Sequence, residues 1–444
     1  MTFKRLTLVA AATFMLTGCP GDSGSGSDAT SGDTASAPET SGAQASPEVG
    51  NDGQRKNDTP ANRDDGTQDV IFVGNNWEGT IDVISANNYQ KVGRINGIPD
   101  KKERLREIFL NPDQLVLFKG IRHLIGEGND QYVDDMYSVD NGRLLVVSRP
   151  SFADVVGINI ATGAIEWRFE VDGYRSDHMA ISPDGDEVAV SASTGDVVHI
   201  LDAQTGEEVG QFPSGDSPHE NVYSKDGERI YHASIGQVFT PMDRGALTDL
   251  KGERVFQIVD AGTYEILERF DFKNKLENAG YGELSPAIRP MAHTSDERFF
   301  YFQVSFFHGF VEYDMENGEV TRVANLPKLT DQPREKYVND SAHHGISMSG
   351  DDKTLCVAGT MDDYAALVDR ETFDYKLLEG LGTKPYWVTT NETGTHCYIS
   401  WSGTDRMSVI SIEKREEVAS VEVGDHPQRV REGEVPAGWS GSMR

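Results

Sequence analysis

Apolar and polar positions alternate in short runs through most of the chain, and the runs recur. From His178 the sequence reads HMAISPDGDEVAVSASTGDVVHILDAQTGEEVGQF. It holds an apolar stretch, the turn Ser182-Pro183-Asp184-Gly185, an alternating strand, and a second strand ending near Asp202. The turn Gln204-Thr205-Gly206 and a last strand complete it. The same order returns from Gly345 (GISMSGDDKTLCVAGTMDDYAALVDRETFDYKLLEG) and from Trp387 (WVTTNETGTHCYISWSGTDRMSVISIEKREEVASV). Turn residues fall at Gly142, Gly185 and Gly227, spaced by 43 and 42, and Asp352 and Gly394 are again 42 apart. A period near 40 with four short strands per unit predicts propeller blades. Glycine suits turns that need positive φ. Period-two alternation, as in VVHILDA and MSVISIE, suits sheets stacked face to face.

About seven units can be counted, so the expected fold is an all-β seven-bladed β-propeller spanning residues 68–438. The first unit opens at DVIFVG, from Asp69, and lacks an innermost strand. GDHPQRVREGEV, from Gly424, resembles the blade opening GDSPHENVYS, from Gly215. The C-terminal strand is therefore expected to complete the first blade and remove exposed sheet edges. The spacing, the SPDG turn and the GD-x-P openings resemble the bacterial YVTN-type, YncE-like propellers, over about Asp69 to Val435. The resemblance implies the fold strongly and says little about function.

Three insertions break the period: 98–131, 236–253 and 327–342. The first predicts two short amphipathic helices between blades one and two, with Asn111 as N-cap and Pro112 at the first helical position. In such propellers these loops share one face, beside the central channel. Long loops in compact domains usually carry a role. The face is therefore expected to bind a ligand: a protein, a peptide or a cell-envelope component.

Blade openings bring polar residues to that face: Asp134, Asp135, Asp177, His178, His219, Glu220, Arg289, His343, His344, Tyr386, Trp387, Gln428 and Arg429, with His426 nearby and His308 in another loop. Candidate ligand-binding residues are His178, His219, Glu220, Arg289, His343, His344, Trp387 and Arg429. Arginines would hold an anionic group, and imidazoles would donate or accept hydrogen bonds. Two enzyme alternatives stay open. His178, His219, His343, His344 and His426 could converge on copper, iron or zinc in a metal-dependent oxidoreductase. Glu220, Arg289 and His343 could serve a lactonase-like hydrolase, by fold analogy. Asp362 and Asp363 could hold calcium, although a solvated turn is the expected reading. Trp77, Trp387 and Trp401 could line a ligand surface, although aromatics in blades are more often core.

Composition adds the setting. The formal net charge of −31 argues against nucleic acid as partner. Lys4 and Arg5 precede the apolar run LTLVAAATFML, which ends in Leu16-Thr17-Gly18-Cys19. This resembles a bacterial lipoprotein signal (1–19), with Cys19 as the lipidated residue and membrane attachment through the acyl chains. Residues 20–67 are rich in Ser, Gly and Asp and are expected to form a disordered tether. The expected location is extracytoplasmic, anchored to the cell envelope. Cys356 and Cys397, in predicted strands of neighbouring repeats, could pair in an exported protein, although buried free thiols are the expected state.

Overall fold

The computed structural model describes residues 66–238 and 250–441. The lipoprotein signal, Cys19, almost all of the tether and most of the 236–253 insertion lie outside the described residues.

The chain forms seven four-stranded antiparallel sheets. Blades 2 to 7 each use consecutive strands, with inner strands at Met136–Val139, Ser176–Ile181, Pro218–Tyr223, Ile288–His293, Ile346–Met348 and Pro385–Thr390. In blade 1 the inner strand is C-terminal: Pro427–Pro436 pairs with Thr67–Asn75, from Thr67 opposite Pro436 to Asn75 opposite Pro427. The ring closes as the sequence repeat requires.

The turn residues explain the period. Gly142, Gly185, Gly227 and Gly394 have φ of 68°, 80°, 73° and 63°, and Asp352 takes 56° at the equivalent place. Left-handed backbone at this turn is the shared requirement, which Gly meets at no steric cost. Middle strands are buried on both faces, as in Leu144–Arg149, because each blade is sandwiched between neighbours. Outermost strands alternate half-buried and exposed positions, as in Glu416–Glu422. Blade-to-blade packing therefore carries the core, with Phe72, Leu145 and Val435 in one cluster and Phe256, Phe300 and Phe302 in another.

Helices α1 (Lys101–Leu110) and α2 (Pro112–Leu124) form the first insertion. Asn111 caps α2, its side chain accepting from the amides of Asp113 and Gln114. Ile108, Phe118 and Phe152 pack together beneath them. Arg104 pins α1 to blade 2 by donating to the Phe152 carbonyl at 2.9 Å and pairing with Asp154 at 3.1 Å. No helix among the described residues is long and apolar enough to cross a membrane.

One expectation is corrected. Cys356 and Cys397 are not free thiols: they form a disulfide, with Cα atoms 6.6 Å apart and a sequence separation of 41. The cause lies in the repeat. Cys356 is the third residue of Thr354–Gly359 and Cys397 the second residue of His396–Trp401. Equivalent positions point the same way, and one residue's offset along a strand reverses the face. The two thiols therefore face each other across the blade interface.

Candidate metal centre at the propeller axis

The inner strands do not enter the ring smoothly. Register breaks fall between Ser176 and Met179, Pro218 and Glu220, Ile288 and Met291, and Pro385 and Trp387. The residues inside or beside these irregularities are Asp177, His178, His219, Arg289 and Tyr386. A bulge re-aims a side chain that regular pairing would direct into the blade interface. Three openings share a second device: Ser217, Lys384 and His426 take positive φ immediately before a proline that starts the strand. Gly345 sits where a Cβ would fall 2.9 Å from the Val388 nitrogen. Its lack of a side chain lets the segment carrying His344 press against blade 7.

These devices gather three imidazoles at the axis. One ring nitrogen from each of His178, His219 and His344 lies within 4.8 Å of the others, and all three residues are buried. His344 Nε2 is 3.4 Å from His219 Nε2. The His178 and His219 ring centroids are 3.8 Å apart. His178 Nδ1 lies 2.8 Å from Glu220 Oε2, and His219 Nδ1 has no hydrogen-bond partner. Burial, followed by nearby guanidinium and imidazole groups, holds all three pKa values well below the usual histidine value. The imidazoles are therefore neutral, the state that ligates metal. Burial pushes Glu220 up to about 8 and Asp134 up to about 6.

The other predicted residues part company with this cluster. His343, adjacent to His344, turns away, with Nε2 3.2 Å from Asp362 Oδ2 and 3.2 Å from the Tyr364 hydroxyl. His308 Nδ1 lies 2.5 Å from the same Asp362 oxygen, and its Nε2 lies 2.9 Å from the Tyr337 hydroxyl. The Leu329 and Thr330 amides donate to Asp362 Oδ1. Asp362 is thus no solvated turn residue but the buried centre of a second cluster. Asp363 is not beside it as a co-ligand: its carboxylate accepts from the Lys384 amide. His426 is also outside the axial cluster, stacked on Trp77 at 3.7 Å. Arg289 donates to Ser305 Oγ at 3.0 Å and to the Asn339 carbonyl. Glu220, Arg289 and His343 therefore have separate partners and do not form one hydrolytic constellation. Trp401 is core, donating to Ser408 Oγ, whereas Trp387 stands at the axis, its ring centroid 5.8 Å from that of His178.

A cavity of about 360 Å³ runs along the axis below the cluster. It is lined by the later residues of the inner strands, such as Ile181, Tyr223 and Thr390, and it ends at Glu220, Trp387 and Arg431. Sequence reasoning placed access at the inserted-loop face. This cavity lies toward the other end of the inner strands.

No model of a known protein family and no curated protein matches this sequence. Among solved structures, the chain is similar to hydrazine synthase of Kuenenia stuttgartiensis, with a TM-score of 0.51 and 14% identity. The likeness covers 66% of this chain and 88% of that one. At that identity it shows the propeller fold alone.

Proposed function

We propose that this protein is an exported, lipid-anchored propeller that holds a transition-metal ion on His178, His219 and His344. The observation that carries the reading is the 3.4 Å separation of the His219 and His344 Nε2 atoms. Two nitrogens bound at about 2.0–2.1 Å to one tetrahedral ion stand about that far apart. Neutral nitrogen donors suit copper, zinc or iron. Three protein ligands leave a position for an exogenous molecule. Glu220, 2.8 Å from His178 Nδ1, stands where an outer carboxyl group orients a ligating histidine. Export is supported by the Leu16–Cys19 pattern and by the Cys356–Cys397 disulfide, which suits an oxidising compartment. Loss of acyl labelling in Cys19→Ser tests the anchor.

The test of the centre is metal content of the full-length protein purified without a histidine tag. Near-stoichiometric metal is expected in the native protein and in His343→Ala, and its loss in His219→Ala and His344→Ala. Metal-free native protein with an intact fold, even after incubation with copper, zinc or iron salts, overturns the reading.

A second reading is favoured by a separate observation. The helical insertion exposes Phe109, Leu110 and Val116, at 55%, 74% and 46%. Apolar side chains grouped on an insertion support its use in docking a protein, peptide or envelope component. Deleting residues 98–131 would remove that binding and leave the metal centre in place.

A further inference from the structure

Arg429, in the inner strand of blade 1, is fully buried, yet none of its three side-chain nitrogens has a hydrogen-bond partner. The other buried guanidiniums near the axis are engaged. Arg175 donates to Asp177, Gln131 and Ser193, and Arg431 grips both oxygens of Asp135 at 2.9 and 2.8 Å. The nearest carboxylate atoms to Arg429 are Asp135 Oδ2 at 3.6 Å and Asp134 Oδ2 at 3.8 Å. These distances balance charge but are too long for hydrogen bonds. Asp135 is already taken by Arg431, and Asp134 Oδ2 itself has no hydrogen-bond partner. A buried guanidinium with every donor unmet is costly. What holds it is stacking: its central carbon lies 3.5 Å from the Trp387 ring centroid.

Trp387 places that guanidinium. The indole is a ring neighbour of His178 and His344, and it also lines the axial cavity. A planar fork of N–H donors matches two oxygens, or one end of a linear anion, at hydrogen-bond distance. Arg429 does not itself line that cavity; Trp387 is the residue that joins the two, and the fork of donors suits a small anion. We propose that Arg429 is the recognition element for a small monovalent anion, of the size of azide, nitrate or formate, which enters along the axial cavity and binds beside the three-histidine cluster. This deepens the metal-centre reading by naming the class of exogenous ligand. The guanidinium makes the site, with or without the ion.

Azide is the probe, because its infrared stretch reports binding with or without metal. Full-length protein, metal-stripped and metal-loaded, is titrated with azide. A saturable shifted band is expected in both forms, with affinity at least tenfold weaker in Arg429→Gln. Unchanged metal content and unfolding midpoint in that variant would exclude a folding defect. Arg429→Lys keeps the charge but loses the fork, and serves if the glutamine variant does not fold; several-fold weaker binding is expected. Three results overturn the proposal: no saturable band in either form, equal affinity in native and variant protein, or a band seen only with metal and unaffected at Arg429. A protein that never takes up metal but binds azide through Arg429 sinks the metal reading and leaves this one standing.

Discussion

His343 and His344 are neighbours in sequence, and they belong to different kinds of site. His344 joins His178 and His219 at the axis, where Glu220 and Asp177 lie beside His178. His343 joins His308 around Asp362, whose two oxygens receive four polar contacts. Both clusters are buried, His308 partly so, and both contain histidines at close range. They differ in how far polar valences are met internally: around Asp362 only His343 Nδ1 lacks a partner. Around Asp362 the ring nitrogens are only 2.5 and 3.2 Å from the carboxylate; this is a hydrogen-bonded lock between loops of blades 5 and 6. At the axis His219 Nδ1 and Arg429 keep unmet capacity. Unmet capacity in a core is costly, and a functional site is where that cost is tolerated.

The largest way to break this comparison is Asp362→Ala. It would strip His308, His343 and two backbone amides of their acceptor at once. Removing one partner of a buried charged network costs roughly 3–5 kcal/mol. Chemical denaturation of the metal-free protein should show that loss. His344→Ala, measured alongside, should cost clearly less, since it leaves no buried charge without its partner. Equal losses would mean that the axial cluster is also a structural lock.

Metal should then separate the two regions from the other side. An ion that binds only the folded state stabilises it by about 2.7 kcal/mol at a hundredfold excess over Kd. That rise in unfolding midpoint should appear in the native protein and in His343→Ala, and vanish in His178→Ala. A midpoint that rises in all three would place the ion elsewhere.

This division was only partly legible in the sequence. The propeller was, because each blade repeats a turn needing positive φ, and the glycines that meet it stand one period apart. Part of the axial set was also legible, since His178, His219 and Trp387 align at blade openings, but His343 and His426 were grouped with them and lie elsewhere. Which of two adjacent histidines faces inward was not. That is set just before the regular ladder of Ile346–Met348, where Gly345 presses against blade 7, and such a local contact leaves no mark on an alternating pattern. Asp362 was misread for a related reason: within MDDY it looks like a turn, and only the loop folded over it from 327–342 makes it buried. The disulfide was an open alternative to free thiols, and the signal that decides it is spacing. A separation one short of the local period puts two cysteines on facing surfaces of adjacent blades.

The smallest expected effect is a difference in pH slope, and it sharpens the comparison most. In the metal-free protein His344 is neutral when folded, because burial and the Arg429 guanidinium hold its pKa well below the usual value. The unfolded chain protonates this residue below about pH 6.5. The unfolded state then binds more protons, so stability falls as pH falls. Asp362 has a different window. Burial would raise its pKa, but the hydrogen bonds from His308 and His343 win and hold it below the usual aspartate value. Its contribution is complete above the unfolded value of about 3.9 and is lost only as pH falls through the lower folded one. Between about pH 6.5 and 4.5, the stability gap between native protein and His344→Ala should therefore move by about 1.4 kcal/mol per pH unit in the variant's favour. The gap to Asp362→Ala should change little over the same range. Denaturation midpoints at four pH values for the three proteins decide it. Parallel lines for His344→Ala would mean that the axial imidazole is not held neutral, and the cluster would lose its claim to be ready for metal.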